Sequence, residues 1–270
     1  MPGEFHTAWL ANIRLHPIKG LDPVGVPEAR IGPNGGLELD RVWALFSADG
    51  KWINGKSTRA IHHIRAEYDP GVSLVTLSLP SDSARSGKIK TGRFAFPFDY
   101  ERAASWFSDY FGETVLVRHI PEGVPDDGLA TGPTIVSTAS LGAVCDLFPE
   151  IELNQARERF RTTLEIDGVP AFWEDQLFGK DENYPVRFKI GEVAFEGSNP
   201  CARCPVPPRN PRTGEDFVGF QKKFTEMRRT SLPDSSPAAR FDHFYRMATN
   251  TRVPSTEQGK LLRVGDALTL

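Results

Sequence analysis

The stretch Pro200-Cys201-Ala202-Arg203-Cys204-Pro205 carries two thiols three positions apart, and further prolines follow at Pro207, Pro208 and Pro211. Thiols at this spacing can face the same side of a tight loop. Each proline fixes φ near about −65° and so stiffens that loop. Arg203 favours the thiolate, which is the form of cysteine that ligates metals and attacks electrophiles. The stretch therefore predicts a rigid loop that presents reactive sulfur.

Four uses of this cysteine pair are open from the residues alone. A structural zinc site needs about four ligands, whereas Cys145 lies in an apolar helical pattern and no histidine is close in the sequence. A thioredoxin-like redox pair needs a strand that leads into a helix, and the prolines after Cys204 disfavour that helix. The pair can also be purely structural. Ligation of a softer metal centre by one thiolate is the use we favour.

The composition indicates a globular, strand-rich protein. Hydrophobic residues make up 39% and charged residues 25% of the 270 residues, which is ordinary for a folded chain. The 24 glycines and 22 prolines are more than a helical bundle would tolerate, because both weaken helix interiors. A net charge of −3 provides no overall field to hold nucleic acid. Three cysteines do not form a secreted disulfide framework, and no stretch is apolar enough to span a membrane, so we expect a cytoplasmic protein.

Alternation of apolar and polar residues predicts short strands in the first half of the chain, with one helix at Asp99–Tyr110. In the second half, Ser137 or Thr138 is expected to cap a helix that runs to Leu147, and a further helix is predicted at Asp216–Arg229. The predicted strands are Thr7–Leu15, Val24–Ile31, Val42–Phe46, Val72–Leu79, Gly92–Phe98, Val115–His119, Thr134–Val136, Thr162–Ile166, Val186–Phe195 and a last one after a turn at Val264-Gly265-Asp266.

The segment Pro121–Pro133 is rich in Pro, Gly and Asp and is expected to separate two halves. The sequence therefore predicts an α+β fold that is predominantly β. A β-barrel-like domain at residues 7–125 precedes a second β-rich domain at residues 126–270.

Several motifs, taken in order, resemble the MOSC family, which is named for the C-terminal domain of molybdenum cofactor sulfurase. The Cys201-Ala202-Arg203-Cys204 signature with Thr213-Gly214 after it is the most specific part of the resemblance. The first half resembles the MOSC N-terminal barrel domain at His16-Pro17-Ile18-Lys19-Gly20 and Leu39-Asp40-Arg41-Val42-Trp43. The second half resembles the MOSC domain, also a β-barrel with a few flanking helices, at Arg159-Phe160-Arg161, Glu174-Asp175, Ile190-Gly191 and Arg263-Val264-Gly265-Asp266.

Within the family, the chain looks most like the mitochondrial amidoxime-reducing enzymes and the bacterial enzymes that reduce N-hydroxylated bases. The resemblance implies a molybdenum-molybdopterin cofactor whose metal is ligated by Cys204. It also implies that the cofactor's pterin and phosphate are held by Lys19, Gly20, Arg41, Thr131, Ser137, Arg161 and Arg203. Cationic side chains suit a buried phosphate, because arginine offers a fixed fork of N–H donors. Glu174 and Asp175 are candidate proton donors near the metal.

The sequence departs from the family pattern at three places. Gly20 stands where relatives often have Ser, and Thr162-Thr163 stands where Pro-Asn is common. The segment after Thr213 is also unlike these relatives, and its predicted helix carries Lys222, Lys223, Arg228 and Arg229. This cationic group is expected to be a solvated helix face or, alternatively, a docking surface for an acidic electron carrier.

The function expected from the resemblance is reduction of N-hydroxylated or N-oxide-type small molecules. Three cysteines cannot hold an ordinary iron-sulfur cluster, so electrons are expected from a ferredoxin or cytochrome with its flavin reductase. The alternative is a protein that carries molybdenum cofactor or sulfur without reducing a substrate. The sulfurase joins its MOSC domain to a pyridoxal-phosphate domain that this sequence lacks, so pyridoxal phosphate enters only as a family-level description. A β-rich domain with structural cysteines and no cofactor is the third hypothesis.

Overall fold

The computed structural model describes residues 8–81, 87–125, 128 and 130–270. In this part of the chain the α-helices are Tyr100–Phe111 (α1), Thr138–Leu147 (α2), Leu153–Phe160 (α3) and Phe220–Thr230 (α4). The strands are Trp9–Leu15 (β1), Val24–Val26 (β2), Glu28–Arg30 (β3), Trp43–Ser47 (β4), Trp52–Ile53 (β5), Arg65–Tyr68 (β6), Leu74–Ser78 (β7), Gly92–Ala95 (β8), Val115–His119 (β9), Ile135–Ser137 (β10), Leu164–Asp167 (β11), Val186–Ile190 (β12), Val193–Ala202 (β13), Arg246–Arg252 (β14), Leu261–Arg263 (β15) and Leu268–Thr269 (β16).

The largest sheet has the order β16-β12-β13-β14-β10-β11-β1-β2. Only the β10–β11 ladder is parallel, and the others are antiparallel. The described ladders do not close into a barrel, but the sheet curls until the region before β16 meets β1. There the Leu10 N–H donates to the Asp266 carbonyl at 2.8 Å, and Trp9 and Ala267 form an isolated bridge. The fold class is therefore α+β and predominantly β, as predicted.

A second core lies between two small sheets and α1. One sheet has the order β5-β4-β9 and the other β6-β7-β8. Their apolar faces and the buried face of α1 bring together Trp43, Leu45, Val75, Phe94, Trp106, Phe107 and Tyr110. Burial of these large side chains, at about 25 cal/mol per Å² of apolar surface, is the main stabilisation of this half.

The first strands of the chain belong to the large sheet. β1 pairs with β11, and β3 pairs with β15 near the end of the described chain. Leu10 and Ile13 accordingly share one core with Ile166 and Phe195. The predicted division at residue 125 stays a prediction, but the two cores do not follow it, because strand pairing joins segments distant in sequence.

Three predicted elements differ from the structure for local reasons. The single strand predicted at Val24–Ile31 is two strands that pair with different partners, because Pro27 has no N–H for a continuous ladder. The strand predicted at Val186–Phe195 is a hairpin that turns at Gly191, whose φ of +54° favours glycine. Helix α4 begins only after Gly219, which lies at φ +78°. Thr7, the predicted start of the first strand, lies outside the described residues.

Other elements gave no clear signal in the sequence. Helix α3 is mostly polar, and its buried face rests on Ala156, Arg159 and Phe160. Strand β14 is buried although Thr249, Asn250 and Thr251 are polar. In contrast, the predicted cap of α2 is confirmed, because the Ser137 hydroxyl accepts a hydrogen bond from the Ser140 N–H at 3.0 Å.

Candidate cofactor site

The main concave site is a cleft of about 850 Å³, partly open to solvent, between the large sheet and the second core. Its acidic lining residues are Asp22 and Glu158. Its cationic lining residues are Lys19, Arg41, Lys56, Arg65, Arg159, Arg161, Arg203 and Arg209. Within the described residues, eight cations therefore face two acids. Such a cleft favours an anionic ligand.

The two N-terminal motifs lie side by side and bring Lys19 and Arg41 to one wall. The His16 carbonyl accepts the Arg41 N–H at 3.0 Å, and the Lys19 N–H donates to the Trp43 carbonyl at 2.8 Å. The Asp40 carboxylate accepts the His16 N–H at 2.8 Å and also pairs with the Arg41 guanidinium. This carboxylate orients Arg41 from behind, so the guanidinium is placed before any ligand arrives.

Arg161 reaches the same wall from the end of α3. It lies in the left-handed region at φ +51°, where the helix ends, and Arg41 lies there too at φ +56°. Arg41 Nη2 donates to the Arg161 carbonyl at 3.0 Å, and Arg161 Nη2 donates to the Leu21 carbonyl at 2.8 Å. Arg41 and Arg161 are neighbours in space, and both are non-glycine residues in a rarely populated backbone region. This indicates a site whose geometry is held by its surroundings.

Cys204 lies just beyond the end of β13 and lines the cleft with a half-buried side chain. The backbone around it is anchored to β14, because the Arg203 N–H donates to the Tyr245 carbonyl at 3.0 Å. Cys201 is buried within the last residues of β13 and receives a contact from Arg203 Nη1 at 3.0 Å. The two thiols are thus unequal, since Cys204 lines the main cleft and the buried Cys201 does not.

A second cleft of about 710 Å³ meets the first at Cys204. Lys56, Arg203 and Cys204 line both clefts, whereas Asn199 and Asn250 line only this one. Cys204 is therefore reached from two sides. The main cleft is strongly cationic, whereas the second cleft combines Lys56 and Arg203 with the neutral amide groups of Asn199 and Asn250.

Glycine makes part of the main cleft possible. A Cβ on Gly20, which lies at φ +98°, would come within 2.9 Å of the Ile61 side chain, and a Cβ on Gly55 would come within 3.4 Å of the His62 ring. Gly20 thus packs its backbone closely where relatives often carry Ser.

The sequence did not single out Arg65, Arg159, Arg209 or His62, all of which line the cleft. Arg159 was only quoted as part of a motif, although its position between Ala156 and Phe160 on the buried face of α3 was a usable signal. His62 also forms part of the wall. Burial, and then the positive charge of Arg161, lower the pKa of His62 to about 4, so its imidazole is neutral near pH 7.

Two of the expected cofactor contacts do not line the main cleft. Thr131 lies in a separate depression, and its hydroxyl donates to the Asn34 carbonyl at 2.6 Å. Ser137 is fully buried, and its hydroxyl caps α2 and contacts the Ser140 hydroxyl at 2.7 Å. Both hydroxyl groups are used within the protein, so the structure does not place them where a pterin in the main cleft would contact them.

Glu174 and Asp175 also lie outside the cleft lining. Glu174 is fully buried and accepts a hydrogen bond from the Ser140 hydroxyl at 2.9 Å. Burial, and then the nearby charge of Asp175, raise the pKa of Glu174 to about 7. Asp175 forms a buried ion pair with Arg228 at 2.7 Å and accepts from the Ser236 hydroxyl. Asp175 thus ties α4 and the loop after it to the turn that carries both acids, and Glu174 ties that turn to α2.

The expectation of a solvated cationic face on α4 was wrong for Arg228, which is 0% exposed. Helical spacing explains the error, because Arg228 follows Phe220 and Phe224 on the inward face. Lys222, Lys223 and Arg229 are exposed as expected.

Two family sequence models match successive parts of the chain. The sequence model of the MOSC N-terminal beta barrel domain matches residues 7–114, and that of the MOSC domain matches residues 133–269. The chain belongs to the MOSC family. Its cleft, its Cys204 and its cationic wall are therefore features of a MOSC protein.

The curated proteins to which this MOSC protein is similar include molybdenum cofactor sulfurases. It is 23% identical over 232 residues to that of Drosophila grimshawi, across 76% of this chain and 29% of the sulfurase. It is 22% identical over 265 residues to the human sulfurase, across 83% of this chain and 29% of that protein. The chain thus spans about 29% of the length of these relatives. The MOSC domain and these relatives connect the protein with molybdenum cofactor biology.

A solved structure of the YUAD protein from Bacillus subtilis aligns with 97% of this chain and 94% of its own, at 12% identity and a TM-score of 0.36. No described helix is long and apolar enough to cross a membrane. Among the described residues, no group of three or more His, Cys, Asp or Glu side chains is arranged to hold a metal ion.

Proposed function

We propose that the main cleft binds a molybdenum-pterin cofactor and that Cys204 ligates its metal. One observation carries this proposal: a half-buried cysteine lies on the wall of a cleft whose described lining has eight cations and two acids. A pterin phosphate needs charge-assisted donors, and a soft metal accepts a thiolate. Both requirements meet in one cleft.

Each wall of the cleft has its own role in this proposal. Lys19, Arg41 and Arg161 would hold the cofactor's phosphate, and Arg41 is pre-oriented by Asp40 and by the Arg161 carbonyl. His62, neutral near pH 7, can exchange hydrogen bonds with a pterin without adding charge. Arg203 lines both clefts together with Cys204, and its Nη1 lies 3.0 Å from the Cys201 sulfur.

The proposed activity is reduction of N-hydroxylated small molecules. When bound, the molybdenum centre would supply the two-electron chemistry that removes oxygen. The protein would hold the cofactor, and the second cleft would admit a neutral substrate past Asn199 and Asn250 to the other side of Cys204. Electrons would come from a separate carrier of ferredoxin or cytochrome type. Glu174 and Asp175 take no part in this proposal, because they do not line either cleft.

A second candidate function is favoured by the names of the curated relatives. They are molybdenum cofactor sulfurases, so this chain is also a candidate for a protein that carries the cofactor or its sulfur. The two unequal thiols of the Cys201-to-Cys204 loop suit such a role as well.

The test begins with elemental analysis and pterin fluorescence on protein from a host that makes molybdenum cofactor. Molybdenum and pterin near one per chain are expected, and stoichiometric zinc without pterin would overturn the cofactor proposal. The loaded protein is then given benzamidoxime and a chemical electron source. Reduction supports the enzyme, whereas stable loading without reduction, together with transfer of the cofactor to an apo-enzyme, supports the carrier.

A further inference from the structure

Arg159 is a buried cation that forms no ion pair with the described residues. It is 3% exposed and lines the main cleft. Its Nη1 donates to the Pro207 and Arg209 carbonyls at 2.9 and 2.8 Å. Within the described part of the chain it forms no ion pair, and its Nε lacks a hydrogen-bond partner. Glu158, the nearest acid in sequence, is engaged by Arg212 at 2.6 Å. Burial of a charge without an opposite charge is costly, so an anionic ligand would relieve this cost.

Three other cations line the cleft with Arg159. Arg65 pairs with Asp22 at 3.1 Å and donates to the Pro211 carbonyl at 3.3 Å. Arg209 lies 3.7 Å from Asp216 and donates to the Gly55 carbonyl. Lys56 is exposed and, among the described residues, has no ion pair. Arg65 and Arg209 therefore face acidic partners, whereas Arg159 and Lys56 form no ion pair with the described residues.

One phosphate does not account for all of this charge. A phosphate ester carries at most about two negative charges near pH 7. Lys19, Arg41 and Arg161 all line the cleft, and Arg41 and Arg161 are joined by a hydrogen bond. Their three positive charges already match such a group. The remaining cations have no corresponding ligand in an unextended pterin.

We infer that the cleft contains a second anion subsite, formed by Lys56, Arg65, Arg159 and Arg209, that binds an additional phosphate group. This inference rests on the proposed cofactor site. The phosphate has two possible sources with the same chemistry: a pterin extended by a nucleotide, or a substrate that carries a phosphate ester. Both place a phosphate oxygen beside Arg159 and Lys56.

The experiment uses the protein purified with its cofactor. One part is hydrolysed in acid, and the nucleotide released per pterin is measured by chromatography. The other part is titrated with inorganic phosphate in a calorimeter, as wild type and as the Lys56→Gln, Arg159→Met and Lys222→Gln variants. Lys222 is the matched control, because it is an exposed lysine on α4 that lies outside the main cleft. Lys56→Gln changes only an exposed side chain and keeps the test valid if Arg159→Met fails to fold.

Either of two results supports the second subsite. About one nucleotide per pterin identifies an extended cofactor as the source. No nucleotide, with phosphate binding that Lys56→Gln weakens about tenfold and Lys222→Gln leaves unchanged, identifies a phosphorylated substrate. The inference is overturned if pterin is present but neither nucleotide nor phosphate binding is found, or if Lys222→Gln weakens binding equally. In that case the proposed cofactor site stands, whereas a chain without pterin contradicts the cofactor site itself.

Discussion

The molecule has two polar regions that handle charge in opposite ways. In the cluster of Glu174, Asp175 and Arg228, all three side chains are almost fully buried, and the ion pair neutralises two of them. The main cleft is open to solvent and keeps a surplus of cations around Cys204. In the buried cluster Arg228 is paired inside the protein, whereas the described lining of the cleft has eight cations and two acids.

The paired charges of the cluster stabilise the fold, whereas the cations of the cleft are suited to binding an anionic ligand. A buried ion pair whose partners satisfy each other does not need an external group, and breaking it is costly. A cationic cleft gains most when an anion binds. Substitutions in the cluster should therefore change stability, and substitutions in the cleft should change ligand retention.

The largest effect is expected for Arg228→Met. It leaves Asp175 buried without its partner and should lower the free energy of unfolding by about 3–5 kcal/mol. Urea denaturation followed by circular dichroism measures this loss. The matched control is Arg229→Met, whose exposed side chain pairs with Glu226 and whose loss should cost less than about 1 kcal/mol. Equal losses in the two variants would show that the cluster does not stabilise the fold.

Cys204→Ala should produce the next largest effect, on the cleft alone. Loss of a direct ligand should weaken molybdenum retention by more than about 100-fold. Loss of a residue that only supports a metal ligand already lowers metal affinity by about 10–100-fold. Metal and pterin per chain are measured after gel filtration. The urea midpoint of the metal-free protein should stay unchanged, because the Cys204 side chain is only half-buried. Cys145→Ala, on α2, is the control, and full retention of metal in Cys204→Ala would contradict the assignment.

Glu174→Gln should reveal a pH-dependent cost in the cluster. The pKa of Glu174 is raised to about 7 in the folded protein from an ordinary value of 4.5. The folded state therefore binds more protons than the unfolded state between these values, and wild-type stability falls as pH rises from about 4.5 to about 7. The variant should be more stable than wild type at pH 8, by up to about 3 kcal/mol, and similar to it at pH 4.5.

Urea unfolding of both proteins at the two pH values measures this difference. Glu150→Gln removes an exposed carboxyl and provides the control. A difference that is the same at pH 4.5 and pH 8 would show that the pKa of Glu174 is not raised in the folded protein.

The smallest effect is expected for Cys201→Ala. Cys201 does not line the main cleft, and Arg203 Nη1 lies 3.0 Å from its sulfur, so its removal is expected to change the support of that cleft and not a metal ligand. Molybdenum retention should fall less than about tenfold, below the usual effect of losing a group behind a metal ligand. A loss as large as that in Cys204→Ala would mean that the two thiols act together.

The sequence was sufficient for the family, the fold class and the residues on one wall of the cleft. Lys19, Arg41, Arg161, Arg203 and Cys204 come from motifs far apart in the chain, and the structure brings them together. Short motifs are informative here because each one specifies both a backbone conformation and the chemical type of a side chain. Arg161, for example, ends a helix in the left-handed region and also points a cation at the cleft.

The predictions that failed concern burial, which a local pattern does not reveal. Arg228 was expected in solvent because a cationic run usually is, but its partner Asp175 lies 53 residues away in sequence. The cofactor contacts of Thr131 and Ser137 stay predictions, and their hydroxyl groups bind protein atoms in this structure. These outcomes depend on long-range contacts, which one sequence without its fold does not specify.

The pairing of β1 with β11 has a consequence for the order in which the protein is made. Trp9 lies opposite Asp167, so more than 150 residues must leave the ribosome before the first strand can join its ladder. Until then Leu10 and Ile13, both fully buried in the finished sheet, have no partner strand on that side. Non-local pairing of this kind slows folding and leaves apolar surface exposed. The nascent chain is therefore expected to depend on chaperones until β11 emerges.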